Sequence, residues 1–132
     1  MPLSNRVVVA ASDWSLEAGA KAAVQLLDRD SPPTAVFCAG DVLALGAITA
    51  VKELGGRVPG DVAVMGYGEI PFAALAAPSL STTRLPADDL GYEAVRTLRR
   101  AIDTGEVQPP VTVETSLILR ESCNCTERAG GG

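Results

Sequence analysis

Three short stretches place a carboxylate where an apolar run breaks: Ala11-Ser12-Asp13-Trp14, Ala39-Gly40-Asp41 and Gly66-Tyr67-Gly68-Glu69. Carboxylates at such joints can do two kinds of work. A pair can serve as general acid and base in hydrolysis. Alternatively, they can accept hydrogen bonds from a ligand's hydroxyls beside a flat aromatic face. Two of the stretches carry that aromatic, as Trp14 and Tyr67. The hydrolytic reading has little to work with. The chain has no histidine, so the commonest general base and metal ligand is missing. It shows no serine elbow, no phosphate-binding glycine loop of the P-loop type and no convincing metal cluster. Asp88-Asp89 is explained more simply by the partial positive charge at a helix start than as an acid pair. The expectation is a binding protein and not an enzyme, with no cofactor, no metal and a polyhydroxylated ligand such as a sugar or nucleoside.

Each residue also has a plainer reading. Asp41 is either a ligand contact or a helix N-cap worth ~1 kcal/mol, and both can hold at once. Trp14 either stacks on a ligand or covers the strand ends. Glu69 is a solvated loop acid or a ligand contact. Arg96, Arg99 and Arg100 share a helical stripe with Glu93 and Asp103 one turn away, which predicts an ion-paired solvent face and not a phosphate site. Cys38, in an apolar run, reads as a small buried hydrophobe. Cys123 and Cys125 form C-x-C without two further metal ligands nearby, so free thiols are expected.

The elements that must position these loops alternate. Residues 6–11 (RVVVAA) form a β-branched run expected to be a buried strand. Residues 15–28 predict a helix with Ser15 at its N-cap and Leu16, Ala20, Ala23, Val24 and Leu27 on one face. Further strands are expected at 34–39, 62–66, 79–83, 111–113 and 116–119, with a short turn of helix at 71–76. A helix over 42–54, capped by Asp41, is apolar almost all round and so must be covered on more than one side. Gly46 inside it costs ~1 kcal/mol against alanine, which predicts a close packing contact. A third helix, 86–104, has Leu90, Ala94, Leu98, Ala101 and Ile102 on its apolar face and stops at Gly105. Strand–helix–strand alternation with tight joints implies parallel βαβ units, which bind ligands outside the carboxyl ends of their strands. All three carboxylate loops fall at that edge.

The totals agree with this outline. A chain of 132 residues, 47% hydrophobic and 20% charged, is a packed protein of one domain or part of one. Its net charge of −5 is wrong for gripping nucleic acid phosphates. No apolar run reaches the ~20 residues of a membrane span, and the start is a poor secretory signal, so a cytoplasmic protein is expected.

Several of these motifs occur together in one known pattern. The stretch PTAVFCAGDVLALGAITAVKELGGRVPGDVAVMGYGEIP resembles the effector-binding domain of lactose-repressor-type (LacI/GalR) bacterial transcription regulators. The matching positions are Pro33 to Phe37, Asp41, Ala44, Gly46, Val58-Pro59, Asp61-Val62, Val64 and Gly66-Tyr67. They continue through Pro78, Leu80, Thr82-Thr83, Pro86, Leu90-Gly91, Ser116-Leu117, Arg120 and Ser122, with Asp13-Trp14, Glu17 and Gly19 upstream. The family pattern has asparagine at Gly40 and aspartates at Gly68 and Glu69, and its R-Q-P appears here as Arg84-Leu85-Pro86 after a one-residue deletion, so the glutamine is lost. The resemblance implies a type I periplasmic-binding-protein-like α/β fold, a parallel βαβ sheet with helices on both faces, represented here mostly by its C-terminal lobe. Residues 1–122 would be the effector-binding and dimerisation part and 123–132 a flexible tail. It implies effector contacts at Asp13, Trp14, Gly40, Asp41, Tyr67, Gly68 and Glu69, and a homodimer interface through Val42, Leu45 and Ile48. Operator DNA would be bound only through a helix-turn-helix outside this sequence. The 86–104 helix would pack in the other lobe. The alternative is a regulator piece that binds no small molecule and acts only by protein association.

Overall fold

In the computed structural model, which describes residues 7–125, the sheet begins with two parallel strands, β1 (Ala35–Phe37) and β2 (Ala63–Met65). Val36 pairs with Val64 at the centre of the ladder, and both side chains are buried. A third strand, β3 (Thr82–Arg84), runs along the exit of β2 through two isolated parallel bridges, Met65–Ser81 and Gly68–Arg84. The amides of Gly66 and Gly68 donate to the carbonyls of Ser81 and Thr83 at 2.9 and 2.8 Å. The last strand, β4 (Ser116–Ile118), closes antiparallel on β3 with Thr82 opposite Ile118. Parallel order through β1, β2 and β3 is the arrangement that the alternation of elements predicts.

Two expected strands do not form. Residues 7–11 and 111–113 lie in irregular backbone, with Val8 77% and Val111 48% exposed; Arg6 lies outside the described residues. β-branched sequence describes a fit to a paired, half-buried surface and not an intrinsic backbone preference. No strand among the described residues pairs with either segment, so neither becomes one.

Helix α1 (Leu16–Leu27) starts as expected: the Ser15 hydroxyl accepts from the Ala18 amide at 3.1 Å. Its packed face differs. Leu16 and Val24 are exposed, and the buried positions are Ala18, Gly19 and Ala23. The reason is the crossing with α2 (Asp41–Glu53). A Cβ on Gly19 would lie 2.3 Å from the Leu43 carbonyl oxygen, and one on Gly46 would lie 2.1 Å from that of Leu16. The two backbones touch, each through the other's glycine, so small residues face the contact and larger ones are displaced to its margins. α2 is buried along nearly its whole length, leaving Thr49 exposed midway. Its N-cap is Gly40; Asp41 is the first helical residue, one position later than a cap, and its side chain is used elsewhere.

The Asp41 carboxylate is 2% exposed and ties three elements together. Oδ1 accepts from the Thr82 hydroxyl of β3 at 2.5 Å, and Oδ2 accepts from the Ile70 amide at 2.8 Å, just before a 3-10 turn at Pro71–Ala73. The Asp41 amide donates to the Tyr67 carbonyl at 3.0 Å. Gly66 leaves room for this joint, because a Cβ there would come within 2.2 Å of Asp41 Oδ1. A second buried polar joint holds the end of the chain. The Ser122 hydroxyl donates to the Val64 carbonyl at 2.6 Å and accepts from the Ser81 amide at 2.9 Å, within a turn at Glu121–Cys123. Cys123 and Cys125 form a disulfide where free thiols were expected, and burial pushes the Cys38 thiol up to about 11.

Helix α3 (Ala87–Thr104) has the predicted ends, with Asp88 and Asp89 in its first turn and Gly105 closing it at φ 67°. Two arginines of the stripe are ion-paired, Arg96 to Glu93 at 2.7 Å and Arg99 to Asp103 at 3.8 Å. Yet no residue of α3 is buried: Leu98 is 61% and Ile102 72% exposed, and the apolar face lines an open groove of ≈ 660 Å³ with Val107, Val111 and Val113. Among the described residues no helix is long and apolar enough to cross a membrane.

Two outcomes follow for stability. Gly46→Ala gains ~1 kcal/mol of helix propensity, but its methyl group meets backbone that cannot rotate away. Overpacking of that kind costs ~1–3 kcal/mol or more, so urea denaturation should show a net loss; a rise in midpoint would mean the helices do not touch as described. Asp41→Ala strands the Ile70 amide and the Thr82 hydroxyl, at ~1–3 kcal/mol for each buried group left unsatisfied. The same titration should place Asp41→Asn, which keeps one acceptor, between the two.

Candidate functional site

The carboxyl ends of β1, β2 and β3 bring the predicted loops to one edge. Adjacency runs along it by hydrogen bonds: Gly40–Asp41 beside Tyr67 through the Asp41 amide, then Gly68 beside Arg84 through the strand bridge. Trp14 joins from the loop before α1. A Cβ on Gly40 would sit 2.9 Å from Trp14 Cζ3 and 3.2 Å from Cε3, so the indole lies against the glycine backbone while the residue remains 68% exposed. Gly40 admits that ring, and the asparagine of the family pattern would not fit beside it in this position. The edge therefore presents a flat apolar face that is still open to a ligand.

The carboxylates are not equally available. Asp13 is exposed, but Oδ1 accepts from the Ser15 amide at 2.8 Å and Oδ2 from the Ser12 hydroxyl at 3.1 Å. These bonds, chiefly from Ser15, hold its carboxyl below the usual aspartate value. Asp41 is buried with both oxygens engaged, as described above. Glu69 is gripped by two guanidinium groups. Arg84 reaches it through Nε and through Nη2, the latter at 3.0 Å to Oε1, and Arg120 Nη2 reaches the same oxygen at 3.0 Å. The Arg84 contact, reinforced by Arg120, holds the Glu69 carboxyl below the ordinary glutamate value. Glu69 is thus an ion-paired residue and not the solvated loop acid of the plainer reading. Its backbone sits in the left-handed region at φ 58°, after Gly68 at φ 122°. A non-glycine residue there costs ~1–2 kcal/mol and needs its surroundings to hold it.

Sequence reasoning missed the cationic half of this cluster. Arg84 and Arg120 stand 15 and 51 positions from Glu69, and no spacing rule connects them. The available signal was an arginine at the end of a strand near the carboxyl edge. Arg120 also donates through Nη1 to the Leu80 carbonyl at 2.8 Å, which leaves its side chain only 19% exposed, against 55% for Arg84. Among the described residues no three histidine, cysteine or carboxylate side chains gather as a metal site would require.

The predicted interface residues separate. Val42 and Leu45 are half-buried on α2, but Ile48 is 5% exposed and belongs to the chain's own core with Val36, Val51 and Val64. α2 is apolar on nearly every side, so its periodicity does not distinguish inward from outward positions.

Residues 2–123 match the family described as the periplasmic binding protein-like domain. The HTH-type transcriptional repressor PurR of Proteus mirabilis (strain HI4320) is 41% identical over 111 residues, 83% of this chain and 33% of the repressor. This chain therefore spans about one third of the length of such repressors. The solved lac repressor dimer, bound to operator and the anti-inducer ONPF, shares the fold at TM-score 0.77 and 32% identity, over 84% of this chain and 39% of that one. A LacI family transcriptional regulator from Arthrobacter sp. FB24, in complex with lactose, does so at TM-score 0.71 and 32% identity, over 88% of this chain and 44% of that one. By its sequence and its fold alike, the chain belongs to the periplasmic binding protein-like family, in the form that LacI/GalR-type transcription regulators carry.

Proposed function

We propose that this chain is the ligand-sensing and dimerising part of a bacterial transcription regulator, acting by effector binding and not by catalysis. The observation that carries the reading is the open indole of Trp14 seated on Gly40, beside the polar edge formed by Tyr67, Gly68, Glu69 and Arg84. A flat apolar wall next to charged hydrogen-bonding groups suits a small polar ligand. Lactose in the Arthrobacter regulator and ONPF on the lac repressor are ligands of that general kind. Asp13, Trp14, Tyr67 and the backbone at Gly40 and Gly68 would meet the ligand. Asp41 would act one step back, holding the joint from which these loops emerge. Binding at this edge would bias a conformational equilibrium that a partner domain reads.

The homodimer would form through α2, with Val42 and Leu45 and without Ile48, as a lac repressor also assembles into a dimer. Operator DNA would be held by a helix-turn-helix outside this sequence, in the cytoplasm, since the acidic chain itself has the wrong charge for DNA. A second reading, association without a small ligand, is favoured by one specific observation: the oxygens of Asp13, Asp41 and Glu69 are already occupied by protein donors.

A thermal-shift screen of mono- and disaccharides, nucleosides and their phosphates separates the two. A ligand at a hundredfold excess over Kd stabilises the folded state by about 2.7 kcal/mol, and the expected shift is concentration-dependent and lost in Trp14→Ala. Flat melting curves across the set would favour association alone. Sedimentation at micromolar concentration should show a dimer that Leu45→Asp dissociates; a monomeric parent chain would reject the α2 interface.

A further inference from the structure

The geometry points to an anionic effector, a small molecule bearing a phosphate or carboxylate that completes the charge of the Glu69–Arg84–Arg120 cluster. The inference rests on the proposed effector site and names the ligand's chemical class. Two guanidinium groups face a single carboxylate, so the cluster carries an excess of one positive charge within a chain whose net charge is −5.

The two arginines are not equivalent. Arg120 is mostly covered and has a further bond to the Leu80 carbonyl, so its charge is committed to the fold. Arg84 is 55% exposed at the end of β3, directly beside Gly68. Its Nε and Nη2 hold Glu69, and Nη1 has no hydrogen-bond partner among the described residues. A guanidinium fixed on one side by a carboxylate keeps its remaining donors in a set direction, which suits recognition of a planar or tetrahedral oxyanion.

The rest of the edge does not compete for that role. Asp41 is buried and bonded on both oxygens, and Glu69 is bonded on both. Asp13 is the remaining nearby acid in the predicted site, and both of its oxygens accept bonds from its own loop. Gly68 presents no side chain, so nothing at that position stands between Arg84 and the open edge; an added Cβ there would meet no atom within 4 Å. Along the same edge the Trp14 indole lies over Gly40, whose neighbour Asp41 donates its amide to Tyr67. The site thus pairs an apolar wall with an exposed cation, and the matching ligand joins a flat or apolar ring face to an anionic group.

Calorimetric titration of the full chain with glucose, glucuronate, glucose 6-phosphate and inorganic phosphate tests this. Glucuronate or glucose 6-phosphate should bind at least tenfold tighter than glucose, with an advantage that shrinks as salt is raised. Whichever of the two leads identifies the anion. Arg84→Gln should remove that advantage, and Arg84→Lys should retain part of it. Circular dichroism and the melting temperature of each variant establish that it is folded, with Arg120 still available to pair Glu69. Glucose binding as tightly as its anionic forms, or a preference that survives Arg84→Gln, overturns the anionic class while the effector site stands. Phosphate binding equally well without a sugar, unaffected by Trp14→Ala, overturns the combined ring-and-anion ligand. No binding by any of these compounds, together with flat curves in the wider screen, overturns both this inference and the effector site.

Discussion

A single buried carboxylate organises the carboxyl edge of this protein. Asp41 opens α2, yet its oxygens reach sideways to β3 and to the backbone before the 3-10 turn, while its amide reaches the loop after β2. Burying an acid is unfavourable unless donors replace the water it loses. Here the Thr82 hydroxyl and the Ile70 amide do so, and Gly66 yields the space in which the carboxylate sits. One group thereby sets the relative positions of α2, β2 and β3. The edge where Trp14, Tyr67, Gly68 and Arg84 meet inherits its geometry from that joint.

The interior behind the edge depends on absence of bulk. α1 and α2 approach until each backbone lies against a glycine of the other, and the residues around the crossing are largely alanine. Close packing of this kind gives a rigid platform from little apolar volume, and it has small tolerance for added methyl groups. A second polar joint, through Ser81 and Ser122, draws the late turn back onto β2. α3 stands apart from both: it has well-formed ends, an ion-paired outer face and an apolar face that no described residue covers. A helix with that pattern is built to be packed against something.

Much of this was legible along the chain. Ser15 as a cap, the Gly46 contact, the Gly105 stop, the parallel order and the three loops at one edge each rest on local chemistry or on a period of two or 3.6 residues, which the sequence displays directly. The strands at 7–11 and 111–113 were misread because a strand is a property of a pair, and the neighbour is not written in the segment itself. The inward direction of Ile48 is not legible because an all-round apolar helix has no periodic contrast from which to read it. The sequence leaves Asp41 open between a helix cap and a ligand contact because its distant partners, Thr82 and Ile70, lie in later elements.

The candidate site divides along the same line. By itself, the sequence determined which loops would meet, since tight strand–helix joints in a parallel sheet send their connections to a common edge. The Trp14 indole reaches that edge without the strand expected before it, through its contact with Gly40. Only the tertiary structure decided the charge of the edge. It turned Asp41 inward, gave Glu69 to Arg84 and Arg120, and laid the indole on Gly40. Those outcomes depend on which side chains converge in space across long intervals of sequence, and electrostatic partners fall off with distance in space, not with distance along the chain.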